Sequence, residues 1–262
     1  MRTTAPRVHL ICRPNVDWYA VVAYLESVGG TAWSDRVRDS DSPPGEALVE
    51  FMGRMCYRSW AAGLNPNVTR VREDSHAYLD NILSSAHGSV LEHCNYTFVF
   101  QDVSRVFTHE LVRHRAGTAI SQESLRYVRL DDLPFEHPAF ITDDPDLLAE
   151  ANDLLERMEG FQARIAEATR IDEPDVDFHT KKVVTSGARR YAPDGVATTI
   201  GWTANVRTLR HVIALRTAPS AEDEIRRVFD QVAMIMQREL PALFHDLVRQ
   251  ADGAWVPAHV KV

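Results

Sequence analysis

The run Arg113-His114-Arg115-Ala116-Gly117-Thr118-Ala119-Ile120-Ser121-Gln122-Glu123-Ser124-Leu125-Arg126-Tyr127 sets three arginines, a histidine and several hydroxyl and amide side chains close together. Arginine forks bind phosphate oxygens two at a time, while Ser, Thr and Gln offer neutral hydrogen bonds to sugars and bases. Two further stretches carry a similar mixture. His87-Gly88-Ser89-Val90-Leu91-Glu92-His93 reads as a junction between helix and strand. Asn205-Val206-Arg207-Thr208-Leu209-Arg210-His211, followed by Arg216, reads as a helix on which Arg207 and His211 share a face. Each stretch alone has an ordinary reading as a turn or a solvated charged face. Together they supply many phosphate and amide ligands with no obvious nucleophile and no metal set. That points to a bound nucleotide-like cofactor carrying the chemistry.

Composition narrows the class of protein. At 262 residues, with 45% hydrophobic and 25% charged residues, the chain suits a single catalytic domain spanning 1–262. A net charge of -8 argues against a nucleic-acid polymer as partner. It makes Arg105, Arg113, Arg115, Arg126 and Arg129 a local basic island, suited to a small anionic ligand. Cys12, Cys56 and Cys94 are odd in number and form no CxxC pair, which fits a reducing compartment. Cys94 follows Glu92-His93, so a nucleophile is one reading and a core thiol the other. No stretch approaches the roughly 18 apolar residues of a membrane span, and a cytoplasmic protein is expected. GxGxxG, GxxxxGK[ST], HExxH and GxSxG motifs are missing, and the histidines do not cluster with carboxylates at metal spacing, so no metal is expected.

These residues must be held by an α+β fold, a central β-sheet with long packed helices. Periodicity predicts helices over 16–28, 46–60, 74–86, 103–114, 146–170, 176–191, 205–215 and from the Ser220-Ala221-Glu222-Asp223 capping box to about Arg249. Strands are expected at 95–100 and 196–202, a polar loop at 31–45 and a connector at 134–145. On the 103–114 helix, Val103, Val106, Phe107, Glu110 and His114 fall on one stripe. Glu110 and His114 then form either a buried structural pair or one wall of a ligand cavity.

The same residues resemble a known family. Arg113-His114-Arg115 followed by Ser124, Arg126 and Tyr127 is similar to the RHR…S-x-RY signature of flavin-dependent thymidylate synthases. His87-Gly88-Ser89-Val90-Leu91-Glu92-His93 is similar to their GH-x-S/T-x-x-EH stretch. Ser104-Arg105 through His109-Glu110-Leu111-Val112 resembles the helix leading into RHR. Trp202 to Leu209, with Leu215-Arg216, resembles W-T-x-N-x-R-x-L and L-R. The likeness covers roughly residues 65 to 245. One departure is that eight residues, Ala116 to Glu123, separate RHR from Ser124 where seven are common; the extra one is placed near Gly117–Ala119. Ser121, Gln122 and Glu123 lie inside the altered stretch.

The resemblance implies the thymidylate synthase-complementing protein-like fold and a homotetramer whose sites are shared among subunits. It implies FAD against His87, Ser89, Glu92, Arg113, His114, Arg115, Ser121, Asn205, Arg207 and His211. It implies a uridine nucleotide against Glu110, Gln122, Glu123, Ser124, Arg126, Arg189 and Arg216, with Arg126 and Arg189 on the 5′-phosphate. Arg216, His87 and Ser124 are the expected catalytic positions, with Arg216 at the uracil edge and Ser124 as a hydrogen-bonding group. The implied reaction is reductive C5 methylation of dUMP to dTMP, with methylenetetrahydrofolate as carbon donor and NADPH as reductant. Two alternatives stand beside it. One is a UMP/dUMP C5-methylase of the same family in nucleoside-antibiotic biosynthesis. The other is a non-catalytic nucleotide- or RNA-binding module.

Overall fold

The computed structural model describes residues 2–68, 70–127, 130, 132 and 134–262, with Arg2 described by its backbone alone. Arg129 of the basic island lies outside the described residues. In chain order the elements begin with β1 (Arg2–Thr3), β2 (Arg7–Cys12), α1 (Trp18–Val28), α2 (Thr31–Arg38), α3 (Pro44–Tyr57) and α4 (Ser75–Ser84). A 3-10 turn at Gly88–His93 leads into β3 (Asn95–Ser104), α5 (Arg105–Leu111), β4 (Thr118–Gln122), β5 (Pro134–Phe135), α6 (Ala139–Thr142) and α7 (Pro145–Thr169). Then follow α8 (Phe178–Ala188), a 3-10 turn at Arg189–Tyr191, β6 (Ala197–Asn205), α9 (Val206–Arg216), α10 (Asp223–Glu239), α11 (Pro241–Phe244), β7 (Leu247–Arg249) and β8 (Trp255–Pro257). A four-stranded sheet is ordered β2-β3-β6-β4, β1 pairs in parallel with β5, and β7 pairs antiparallel with β8. The α+β expectation holds. Among the described residues, no helix is long and apolar enough to cross a membrane.

Several elements differ from the sequence reading. The expected polar loop at 31–45 contains α2, because Trp33 and Val37, four apart, are buried on one face. Trp33 also donates from Nε1 to Glu50 at 2.7 Å, an anchor that a short polar stretch does not advertise. The helix expected from Val103 begins at Arg105, with Ser104 as its N-cap accepting from the Phe107 amide. Val103 is the penultimate residue of β3, where Asp102 at φ 58 shifts the inward face by one residue. The buried face of α5 is therefore Phe107, Thr108 and Leu111. Val106 is exposed and His114 lies beyond the helix, so the expected stripe does not form. The last helix caps on Glu222, not Ser220, and stops at Glu239, because Pro241 disfavours helical backbone at Leu240. The 134–145 connector holds the short β5 and α6.

The chain divides into two compact units. The first comprises Met1–His9, Val99–Arg113 and Ile120–Trp202. In it Leu125, Leu130, Leu155 and Val196 form a small core beside Phe135. Gln162 on the long α7 is buried and donates to the Ala188 carbonyl at 3.1 Å, which fixes the end of α8. The second comprises Leu10–Phe98, His114–Ala119 and Thr203–Val262. There Trp33, Phe51 and Trp60 make an aromatic cluster with ring centroids 5.2 to 5.7 Å apart. On α10, Ile225, Val228, Phe229, Val232 and Met236 are fully buried at helical spacing.

Inside the second unit, α9 is locked by Arg210. Its guanidinium makes two hydrogen bonds to Asp246, at 2.7 and 2.8 Å, and a third to the Leu243 carbonyl. Both side chains are only 3% exposed. Burial alone would raise the Asp246 carboxyl, but the Arg210 bonds more than reverse this and hold it below the usual carboxylate range. Arg210→Ala leaves that carboxylate buried without its partner. Urea unfolding is expected to show a loss of about 3–5 kcal/mol.

Candidate active site

The expected site residues divide into two groups, one in each unit. In the second unit the three sequence motifs meet on α9. Asn205 caps the helix, its Oδ1 accepting from the Thr208 amide at 2.8 Å, and is buried. The turn after RHR docks on that cap. The Gly117 carbonyl accepts from the Asn205 amide at 3.1 Å, and Thr208 Oγ1 donates to the Ala116 carbonyl at 2.9 Å. Gly117 sits at φ 67, and a Cβ there would meet Asn205 and Thr208, so both backbone and packing call for glycine. The expected looseness ends there, since β4 begins at Thr118.

From the first motif, Glu92 pairs with Arg207 at 2.6 Å, both about half exposed. Such a pair contributes little to stability and its arginine can exchange partners at small cost. A Cβ at Gly88 would stand 2.9 Å from Arg207 Nε, so that glycine admits the arginine stem. The His87 amide closes on the Ile82 carbonyl, and the ring meets Tyr57 edge-on at 5.7 Å. Ser89, Arg115, Arg207 and His211 are exposed.

His114 is the group whose chemistry is most altered. Arg216 Nε donates to its Nε2 at 2.7 Å, and the His211 ring lies 6.3 Å away, edge to face. Burial first, then the charges of Arg216 and His211, lower its pKa from 6.5 to about 4. The ring is therefore neutral at pH 7, with its proton on Nδ1 because Nε2 is the acceptor. The bond also fixes the plane of the Arg216 guanidinium. Arg210, which the sequence grouped with these residues, faces the core. Cys94 is fully buried and burial pushes its thiol up to about 12, so the core reading of this cysteine is the correct one.

In the first unit, Gln122 Nε2 donates to Thr108 Oγ1 at 3.2 Å, and Glu123 is held through its amide on the Thr199 carbonyl. Ser124 makes a turn: its Oγ accepts from the Arg126 amide at 3.3 Å and its carbonyl from the Tyr127 amide at 3.0 Å. Its hydroxyl has no imidazole or carboxylate partner among the described residues. Arg126 Nε donates to Ser186 Oγ at 3.3 Å on α8. Arg189 lies three residues further on, so both arginines are brought to one end of α8. Glu110 is half-buried in the last turn of α5, Arg113 is exposed beyond it, and Ser121 is exposed on β4. Sequence reasoning missed Thr108, Ser186 and Lys182. Tyr127 stacks on Phe178 at 6.1 Å, and Lys182 Nζ lies 5.7 Å from the Tyr127 ring centre. Ser186 and Lys182 precede Arg189 by three and seven residues, a helical spacing that could have found them.

An α+β fold presenting cationic and amide groups in this way suits an anionic, hydrogen-bonding ligand. Residues 39–242 match the family model described as thymidylate synthase complementing protein. A flavin-dependent thymidylate synthase of Mycobacteroides abscessus is 35% identical over 222 residues, covering 83% of this chain and 86% of the relative. That of Mycobacterium tuberculosis is 36% identical over the same coverage. The UMP/dUMP methylase PolB of Streptomyces cacaoi, solved with 5-Br dUMP, shares the fold at a TM-score of 0.62 and 17% identity, covering 94% of this chain and 96% of its own. The chain belongs to the thymidylate synthase complementing protein family.

A proton on His114 costs more in the folded chain than in the unfolded one. Folding stability therefore falls as pH drops from 6.5 towards 4. Histidine NMR should find the wild-type ring neutral at pH 6. Arg216→Met should move its midpoint upward, short of 6.5 because burial remains.

Proposed function

We propose that this chain is an FAD-dependent thymidylate synthase, methylating C5 of dUMP with methylenetetrahydrofolate as carbon donor and NADPH as reductant. The observation that carries the reading is the meeting of all three motifs on α9. Glu92 reaches Arg207, the RHR turn docks on Asn205 and Thr208, and His114 accepts from Arg216. Exposed Ser89, Arg115, Arg207 and His211 form a donor set that fits the phosphates and ribose of a dinucleotide, so the residues present suit FAD. His87, Glu92, His114 and Asn205 complete this set. FAD, when bound, supplies the hydride that finishes the methyl group.

The chain's own residues bind and orient. Arg126 and Arg189 take the nucleotide 5′-phosphate, and Glu110, Gln122, Glu123 and Ser124 position sugar and base. Arg216, its plane set by a neutral His114, stabilises negative charge developing on the uracil as C5 becomes nucleophilic. Neutral His114 donates from Nδ1 without adding a second positive charge. His87 stands at the co-substrate face. The assembly is a homotetramer in the cytoplasm. An exposed apolar stripe of Leu147, Leu154, Met158 and Phe161 along α7 supports a partner surface.

The purified protein should show a flavin absorbance that bleaches anaerobically with NADPH, and should form dTMP in competition against UMP. Absence of bound flavin even with added FAD and nucleotide overturns the reading. Ser124→Ala should keep measurable turnover, because the hydroxyl has no base to activate it. Complete loss with FAD and nucleotide binding intact would contradict this. Arg126→Ala should raise the KM for dUMP at least about tenfold, the loss of one charge-assisted phosphate contact.

A further inference from the structure

The second unit holds a cavity of about 400 Å³ beside His87, and its wall is basic. Its floor is Arg54 on α3, which is fully buried. Nε binds Glu50 at 2.7 Å, Nη1 donates to the Ser59 carbonyl, Nη2 donates to the Arg72 carbonyl, and the guanidinium lies 4.2 Å from the Tyr78 ring centre. Arg54 is thus spent on architecture. It joins the Ser59 carbonyl to that of Arg72 and so anchors the backbone at Arg72.

Those two arginines are exposed and line the cavity. Neither side chain makes a hydrogen bond or ion pair with any described residue. Among the described residues lining the space there is no Asp or Glu. Asn81 and Ser85, four apart on α4 and just past its end, add neutral hydrogen-bonding groups. A cavity with two guanidinium groups that no described residue pairs suits a ligand bearing several negative oxygens.

We propose that this cavity holds the anionic tail of a co-substrate, through Arg70 and Arg72, while the reacting end is turned to His87. The proposal rests on the function proposed above, under which both co-substrates carry a ring at one end and negative groups at the other. The shared chemistry is a cluster of anionic oxygens. It has two sources, the 2′-phosphate of NADPH or the chain of glutamate carboxylates on a polyglutamylated folate.

The test is calorimetric titration of this chain as purified, wild type against Arg70→Glu/Arg72→Glu and Arg70→Lys/Arg72→Lys. The probes are NADP+ against NAD+, and tetrahydrofolate pentaglutamate against its monoglutamate. The wild type should prefer the more anionic member of one pair by about tenfold or more. The Glu variant should abolish that preference and the Lys variant should restore most of it. A lost NADP+ preference assigns the phosphate, and a lost pentaglutamate preference assigns the carboxylate tail. No preference in the wild type, or one that survives the Glu variant, overturns the proposal. Melting curves at wild-type temperature exclude misfolding, as both side chains are exposed. Preference retained in a protein that takes up no flavin would sink the synthase reading and leave the cavity standing.

Discussion

Within the second unit, the buried pairing of Arg210 with Asp246 fixes everything else that α9 carries. A helix bearing one cation inward and others outward has two competing ways to bury its surface. The bidentate bond to Asp246 removes that freedom, because any rotation of α9 strands a charge in the core. With Arg210 inward, Arg207 and His211 must point out, and Arg216 falls where its Nε reaches His114. The core ion pair therefore decides which arginines can meet a ligand, although it meets none itself.

The glycines of the motifs act through space, not through chemistry. Gly88 gives passage to Arg207, and Gly117 lets the RHR turn press against the α9 cap. The second contact joins two segments separated in sequence by some ninety residues. Within the eight-residue spacer, Gly117 makes a left-handed turn and β4 pairs from Thr118. Ser121 and Gln122 then lie on a strand and are set by its alternation.

Much of this was legible in the sequence, for identifiable reasons. Long amphipathic stretches such as α7 and α10 announced themselves by period, and the three motifs were found by residue type and spacing. What was missed depended on distant partners. Helix α2 has two inward apolar residues and owes its place to an aromatic cluster and to Glu50. Strands β2, β7 and β8 are short, mostly exposed at alternate positions, and carry little pattern of their own. The stripe drawn through Val103 and His114 failed because the Asp102 bend and the Ser104 cap moved the helix start by two residues. On a period of 3.6, that changes which side chains face inward.

Arginine shows where reading by residue type stops. Arg54 and Arg210 have the same composition cues as Arg70, Arg115 and Arg207, and the sequence gives no sign that the first two are structural. The difference is made by a carboxylate brought from elsewhere: Glu50 one turn away for Arg54, and Asp246 thirty-six residues on for Arg210. Each buried arginine makes three hydrogen bonds, and its charge is cancelled where water cannot screen it. The exposed arginines lack such a buried partner, and a ligand with phosphate or carboxylate oxygens gains most from those. A guanidinium's usefulness for binding is thus set by what the fold denies it.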